Sequence, residues 1–313
     1  MKLIVQIPCL NEEKTLPQTF ADIPKQIEGL DEIEVLVIDD GSNDKTVEVA
    51  KELGVDHIIV NKKNLGLARS FRIGIEECLR QGADVIVNTD GDNQYAGSDI
   101  SNLIKPILSG NADITIGDRQ THKITHFSKS KKFMQWLGSA LVRKLSGIDV
   151  PDTVSGFRAI SRDSAIKLNI LSSFSYTVEM VIQAGKRDMK VVSVPVKTNA
   201  KTRESRLFKS IPSFIGRQLG TIVRIYAMYK PLYVFFLLGS IFTFIGLIPI
   251  ARFLYFYFTT GSAGYMQSLI LGGTLVLIGF IAYLAGIIAD LISFNRQLLE
   301  ISLEKIRRSE LSK

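Results

Sequence analysis

Val85-Ile86-Val87-Asn88-Thr89-Asp90-Gly91-Asp92-Asn93-Gln94 is an apolar run that ends in two carboxylates two residues apart. A short apolar run bounded by turn residues reads as a buried strand. A strand over Asp84–Thr89 therefore sets Asp90 and Asp92 on the turn at its carboxyl end. Two other apolar runs end in acidic and amide side chains, Ile7-Pro8-Cys9-Leu10-Asn11-Glu12-Glu13 and Ile38-Asp39-Asp40-Gly41-Ser42. Strands are predicted at Leu3–Ile7, Ile33–Asp39, His57–Val60, Asp84–Thr89 and Asp113–Ile116. Helical periodicity fills Glu12–Ile27, Lys45–Leu53, Gly66–Arg80 and Ser98–Leu108. Short strands alternating with longer helices build βαβ units and a doubly wound α/β sheet, parallel or mixed. Such sheets bind ligands at the carboxyl ends of their strands. Beyond Gly117 the regularity stops, and Arg119–Lys132 is a basic stretch without a period, in the place where acceptor loops sit.

The 313 residues are 46% hydrophobic and 22% charged, which excludes a disordered chain. The net charge of +7 is unevenly placed. Residues 201–313 carry 13 Lys/Arg against 5 Asp/Glu, whereas residues 1–200 carry 25 against 26. The basic excess lies beside apolar segments, so it fits an anionic membrane surface and argues against a nucleic-acid partner. Cys9 and Cys78 form no framework or metal cluster and read as core thiols in a reducing compartment. The apolar run after Lys2 is too short for a signal peptide and reads as a strand.

The C-terminal third differs in kind. No charged residue lies between Lys230 and Arg252, or between Arg252 and Asp290. Roughly 20 apolar residues cross a ~30 Å hydrocarbon core, so two transmembrane helices are predicted at about 232–251 and 268–289. Lys209, Arg217, Arg224 and Lys230 precede the pair, and Arg296, Lys305, Arg307 and Arg308 follow it. That bias places both the head and the C-terminus in the cytoplasm, at the cell membrane. Between head and spans, Ile211, Phe214, Ile215, Leu219, Ile222 and Tyr226 share one helical face, with Arg217 and Arg224 opposite. This predicts an interfacial amphipathic helix; Phe133, Trp136, Leu137, Ala140 and Leu141 make a similar stripe. The domain plan is thus a head over 1–207, an interfacial helix over 208–230, spans within 231–292 and a basic tail over 293–313.

Chemistry concentrates at the three strand ends. A G-x-G-x-x-G turn after the first strand and a G-x-x-x-x-G-K-[ST] loop are both absent, which sets aside dinucleotide and P-loop readings. Asp90 and Asp92 can share a hard divalent ion that keeps sites for water and phosphate oxygens, with Gln94 adding a neutral oxygen. Of Asp39 and Asp40, one can cap the following helix while the other faces the cleft. His57 reads as a core or edge histidine, and His122 and His126 lack any zinc spacing.

Taken together, Pro8-Cys9-Leu10-Asn11-Glu12-Glu13, Asp39-Asp40-Gly41-Ser42, Asn64-x-Gly66, Asp90-x-Asp92 and Asp152-Thr153-Val154-Ser155-Gly156-Phe157-Arg158 resemble glycosyltransferase family two, over about residues 3–210. The likeness is to its polyprenyl-phosphate branch, the dolichyl-phosphate mannose and glucose synthases and bactoprenol glucosyltransferases. The resemblance implies a GT-A fold. It also implies that Pro8, Leu10, Asn11, Glu12, Ile38, Asp40 and Gly91 line the nucleotide-sugar pocket, and that Asp90, Asp92 and Gln94 hold Mg²⁺ or Mn²⁺. Arg119 matches an arginine that meets phosphate near the acceptor. Arg206 stands where the family has a diphosphate-binding lysine, and Lys201 or Arg203 takes the place of an upstream arginine. Lys131 and Lys132 replace a pair of arginines, and Gln135 a serine. With Ser155, Lys132 and Gln135 complete the implied acceptor-phosphate set. Glu179 matches a family glutamate in an apolar helix. A Q-x-x-R-W motif is absent, which disfavours processive chain synthesis.

The expected activity is inverting, metal-dependent transfer of one sugar from a GDP- or UDP-sugar to dolichyl or undecaprenyl phosphate. A diacylglycerol or a lipid-linked saccharide is the alternative acceptor, and a nucleotide-sugar-binding scaffold the non-catalytic alternative. Self-association into a homo-oligomer is left open.

Overall fold

The computed structural model describes residues 1–120, 138–140, 142–144, 146–170, 176–199, 230–261 and 264–311. The predicted interfacial helix, and most of the Phe133–Leu141 stripe, lie outside them. The chain divides into two compact units, Met1–Lys209 with Glu304–Lys313, and Ser210–Leu303.

The first unit is built on β1 (Lys2–Cys9), β2 (Glu32–Asp39), β3 (His57–Val60), β4 (Val85–Asn88), β5 (Ile114–Asp118), β6 (Arg158–Ser161) and β7 (Val191–Pro195). Among the described residues these form one mixed sheet in the order β3-β2-β1-β4-β6-β5-β7. The strands β1 to β4 pair in parallel, with Cys9 opposite Asp39 and Gln6 opposite Asn88. That register brings all three acidic strand ends to one edge. β6 runs antiparallel between β4 and β5, and Arg158 at its start faces both Asn88 and Ile116. The loop before β6 therefore opens at the edge where Asp90 leaves the sheet.

Continuous apolar strands are buried on both faces, as a helix-covered sheet requires. Leu3, Val5, Ile7, Val35, Val37, Val85, Val87 and Ala159 pack with Ile100, Leu103 and Ile104 of α4 (Ile100–Leu108). On β1 and β2 lies α3 (Leu67–Arg80), with Phe71, Ile75 and Leu79 buried. Each such side chain contributes about 1.5–3 kcal/mol on full burial. At the edge strand β3, His57 Nε2 lies 2.8 Å from Glu34 Oε2, so it is an edge histidine tied to its neighbour strand.

Three elements depart from the sequence pattern. The first helix, α1 (Leu16–Ala21), is far shorter than Glu12–Ile27. Glu12 and Glu13 give their backbone N–H groups to side chains of the next loop, and Pro24 bars the helical conformation at Ile23. β6 and β7 lie beyond the point where alternation fades, and α2 (Thr46–Glu52) follows its prediction closely. Two further helices of the head among the described residues are α5 (Arg162–Lys167) and α6 (Tyr176–Lys186).

The second unit holds α7 (Pro231–Thr260) and most of α8 (Met266–Leu311), both long and apolar enough to cross a membrane. Their large apolar side chains point outward, with Phe244 70% and Phe258 79% exposed, the reverse of a soluble helix pair. Glycines fill the seam. A Cβ on Gly246 would lie 2.8 Å from Gly272 O, and one on Gly279 2.8 Å from Gly239 O. The two backbones thus meet through small residues, and Ser240 Oγ sits 3.1 Å from Tyr283 Oη across them. α8 is continuous over the stretch read from sequence as a separate tail.

Candidate active site

The ends of β1 and β2 are knitted together by side chains. Asn11 N–H donates to Ser42 Oγ (2.8 Å), and Asn43 N–H donates back to Asn11 Oδ1 (2.8 Å). Glu13 N–H meets Asp44 Oδ2 (3.2 Å) while Lys45 N–H meets Glu13 Oε2 (3.1 Å), and Glu12 N–H donates to Thr46 Oγ1 (2.8 Å). This lacing holds Asn11 at φ 55°, in the left-handed region that Asn tolerates. Neither aspartate caps α2, which starts at Thr46 and whose first N–H is met by Asp44 Oδ1 (3.0 Å). Asp39 Oδ2 instead closes the turn by accepting from Gly41 and Ser42 N–H. The Asp40 carboxylate turns toward the β3–α3 loop, accepting from Asn61 Nδ2 (3.1 Å), Leu65 N–H (2.8 Å) and Gly66 N–H (2.8 Å). Asp40 is buried, and what it does visibly is fix the Asn64-x-Gly66 wall of the cleft. Pro8 and Ile38 are buried in the strand ends, and Leu10 is partly open.

The Asp90–Gln94 turn is packed down on β1. A Cβ on Gly91 would lie 2.9 Å from Cys9 Sγ, so only glycine lets the turn approach this closely. Thr15 Oγ1 (2.8 Å) and Thr19 Oγ1 (3.2 Å) reach Gly91 O, and Glu12 Oε2 lies 2.8 Å from the Thr15 hydroxyl. Gln94 N–H donates to Asp92 Oδ1 (3.1 Å). Asp90, Asp92 and Gln94 are all partly exposed at this edge. Burial, then the nearby carboxylates of Glu12 and Asp39, push the Cys9 thiol well above its ordinary pKa, so it stays protonated.

Arg119 follows β5 directly. Its Nε donates to Asp152 Oδ2 (2.7 Å) and its Nη2 to Asp152 Oδ1 (2.9 Å), a bidentate pair. The arginine side chain is 13% exposed and the aspartate 2%. Burial opposes the Arg119 charge, but Tyr95, Asp152 and Asp90 around it raise its pKa above the ordinary arginine value. Asp152 opens the loop that runs to Arg158, and Arg158 is wholly buried beneath it. The Arg158 guanidinium donates to Thr153 O (2.7 Å), Ser155 O (2.8 Å) and Thr177 O (2.8 Å). Burial lowers its pKa to about 10, which leaves it charged at neutral pH. Gly156 N–H donates to Tyr95 Oη (3.0 Å), and Asn88 Nδ2 donates to Gly156 O (2.9 Å). Gly156 abuts the first carboxylate: a Cβ there would lie 3.0 Å from both Asp90 oxygens.

The sheet edge therefore gathers Glu12, Asp40, Asp90, Asp92, Gln94 and Arg119. Ser155 is fully buried, and its hydroxyl has no partner among the described residues. Lys132, Gln135, Arg203 and Arg206 lie outside the described residues, as do Lys131, Lys201, His122 and His126. Glu179 is buried in α6, with Gln183 Nε2 3.3 Å from its carboxylate. The pairing of Arg119 with Asp152 and the bracing role of Arg158 were not legible in sequence, because no local spacing links positions 33 residues apart. Among the described residues no group of three or more His, Cys, Asp or Glu assembles as a metal site. The Asp90-Asp92 pair would suit a hard ion completed by water and phosphate, and would not suit zinc.

The model of "Glycosyl transferase family 2" matches residues 4–168, more than half of the chain. The chain belongs to glycosyl transferase family 2. It is a glycosyltransferase with a GT-A fold. Among its relatives is an undecaprenyl-phosphate mannosyltransferase of Micrococcus luteus, 28% identical over 206 residues, covering 63% of this chain and 83% of that protein. Another is a dolichol-phosphate mannosyltransferase of Pyrococcus furiosus, 33% identical over 219 residues, covering 66% of this chain and 59% of that one. In fold the family 2 head resembles glucosyl-3-phosphoglycerate synthase from Mycobacterium tuberculosis, solved with Mn²⁺, UDP and glucosyl-3-phosphoglycerate. The TM-score is 0.52 at 18% identity, over 72% of this chain and 78% of that one.

Proposed function

We propose that this glycosyltransferase moves one sugar from a nucleotide diphosphate sugar to a polyprenyl monophosphate at the cytoplasmic membrane face, inverting the anomeric carbon. The observation that carries the reading is the Asp90-x-Asp92 turn and the Asp152-held Arg119 meeting at one sheet edge, in a chain that also bears two apolar helices. The relatives named for transfer to undecaprenyl and dolichol phosphate support the acceptor class. The basic residues flanking α7 and α8 support the cytoplasmic orientation.

Asp90 and Asp92, with Gln94 beside them, would hold Mg²⁺ or Mn²⁺. Bound there, the ion would offset the charge developing on the leaving diphosphate. The β1 and β2 ends would seat the nucleotide, with Asp40 holding the wall formed by Leu65 and Gly66. A phosphate monoester has its second pKa near ~6, so it arrives largely ionised at neutral pH. Such an acceptor needs orientation and charge neutralisation, which Arg119 supplies, and it does not need a general base. A neutral lipid hydroxyl, the alternative acceptor, would need one.

The test is to assay the purified full chain against a panel of nucleotide sugars with one polyprenyl phosphate. The expected product is a β-linked lipid phosphate sugar from an α-linked donor, formed more slowly below about pH 6 as the acceptor protonates. Asp92→Ala should lower transfer by about 100-fold or more while the protein stays folded. An α-linked product, or faster transfer to a neutral polyprenol, would overturn the reading.

A further inference from the structure

We propose that Asp152 is a positioning residue that fixes the Arg119 guanidinium, through a loop that also sets the distance from Arg119 to Asp90. A guanidinium carries five N–H donors in a rigid plane. Two of them, on Nε and Nη2, are taken by the two Asp152 oxygens. With that edge fixed, the plane cannot rotate, and the opposite edge, three N–H groups around Nη1 and Nη2, is turned away from Asp152. No partner for Nη1 occurs among the described residues. A planar edge with several parallel donors is the arrangement that recognises a phosphate or carboxylate.

The brace behind Asp152 is rigid for independent reasons. Arg158 holds the carbonyls of Thr153 and Ser155, the two residues that frame the loop's middle. Ser155 N–H returns to Asp152 O, Gly156 N–H is held by Tyr95 Oη, and Gly156 O by Asn88 at the end of β4. The same loop touches Asp90 through Gly156. One end of the five-residue segment Asp152–Gly156 thus grips the cation and the other abuts the carboxylate. Asp90 and Arg119 cannot drift independently. An asparagine at 152 would offer one oxygen and one N–H₂ to a guanidinium edge that only donates, so the edge would be released.

The proposal rests on the reading above only in taking Arg119 to face the acceptor. It is tested by a double-mutant cycle on the full chain in nanodiscs, with Asp152→Asn, Arg119→Ala and the pair. Asp152→Asn should lower kcat by about 10- to 100-fold and raise the acceptor KM. Nucleotide diphosphate should bind with Mn²⁺ within about twofold of wild type, because the donor side is untouched. In the Arg119→Ala background, adding Asp152→Asn should cost no more than about twofold, since the carboxylate acts through the arginine. A merely structural role would instead multiply the two losses. Multiplying losses, or Asp152→Asn within twofold of wild type, would overturn the proposal. Should Asp152→Asn fail to fold, Asp152→Glu keeps the charge and moves it outward. It should still lower transfer severalfold with donor affinity intact, and unchanged transfer would overturn the proposal. The functional reading fails separately, if the wild-type enzyme makes no lipid phosphate sugar. The cycle then decides the Asp152 assignment on whichever acceptor the enzyme uses.

Discussion

Gly156 lacks a side chain because Asp90 and Tyr176 occupy the space one would need. A Cβ would stand 3.0 Å from both Asp90 oxygens and 3.2 Å from Tyr176 Oη, closer than nearly all packed methyl groups. Gly156→Ala must therefore shift the carboxylate or the loop, at about 1–3 kcal/mol of overpacking strain. Transfer should fall about tenfold or more, and the Mn²⁺ concentration for half-maximal activity should rise; a metal titration of the purified variant checks both. At this scale the sequence was informative about residue type and silent about aim. Asp90 and Asp92 were legible because they follow an apolar strand, and Arg119 only through the family resemblance. That neither Asp39 nor Asp40 caps α2 was not legible, since the turn at Gly41-Ser42 takes one and the β3–α3 loop, distant in sequence, takes the other. Arg158 was quoted as part of a motif, yet its full burial under three carbonyls follows from tertiary packing alone.

Strands β1 to β5 were legible as apolar or β-branched runs of four to eight residues, and α2 to α4 as helical periods between them. β6 was not, because Arg158-Ala159-Ile160-Ser161 is four residues long and opens on a charge. At the other end of the chain, the last turns of α8 belong to the catalytic unit. Arg307 Nη1 donates to Ile166 O (3.1 Å) and Leu168 O (2.8 Å), satisfying carbonyls at the end of α5. Arg187 pairs with Glu304 (3.4 Å), and Arg308 pairs with Asp163. Arg307→Ala leaves both carbonyls without that donor and should destabilise the head by about 1–3 kcal/mol, read from its melting midpoint. The Asp163 pairing adds a pH signature. Burial raises the Asp163 pKa, but bonds from Lys167 and Arg308 lower it further, to a net value below the ordinary 3.8. A carboxylate depressed on folding stabilises the fold above its unfolded pKa and loses that contribution as pH falls through the folded value. Protection of residues 304–311 from proteolysis should therefore weaken below about pH 4, and Arg308→Ala should flatten that dependence.

Across the whole molecule, chemistry and location are divided between separate stretches of chain. Every residue assigned to nucleotide, metal or acceptor phosphate lies at or before position 206, whereas α7 and α8 carry no such group through the apolar spans. Their packing depends on glycines: Gly239 and Gly246 on one helix meet Gly279 and Gly272 on the other, with each added Cβ falling 2.6–2.9 Å from a facing carbonyl. In lipid there is no hydrophobic drive to bring two apolar helices together, so close backbone approach is what holds the pair. Gly246→Leu with Gly279→Leu would put two bulky side chains into that seam and separate the helices. The division of labour then makes a two-part prediction. In bilayers, transfer to a long-chain polyprenyl phosphate should drop by about tenfold or more, because the role proposed for the spans is to bring the enzyme to its lipid acceptor. Nucleotide diphosphate with Mn²⁺ should still bind within about twofold of wild type, because the donor pocket proposed above lies at the ends of β1, β2 and β4. Calorimetry on the full-length variant in nanodiscs reads the second part and a lipid-product assay the first. Loss of donor binding in a protein whose head still melts cooperatively would mean that the spans shape the pocket itself.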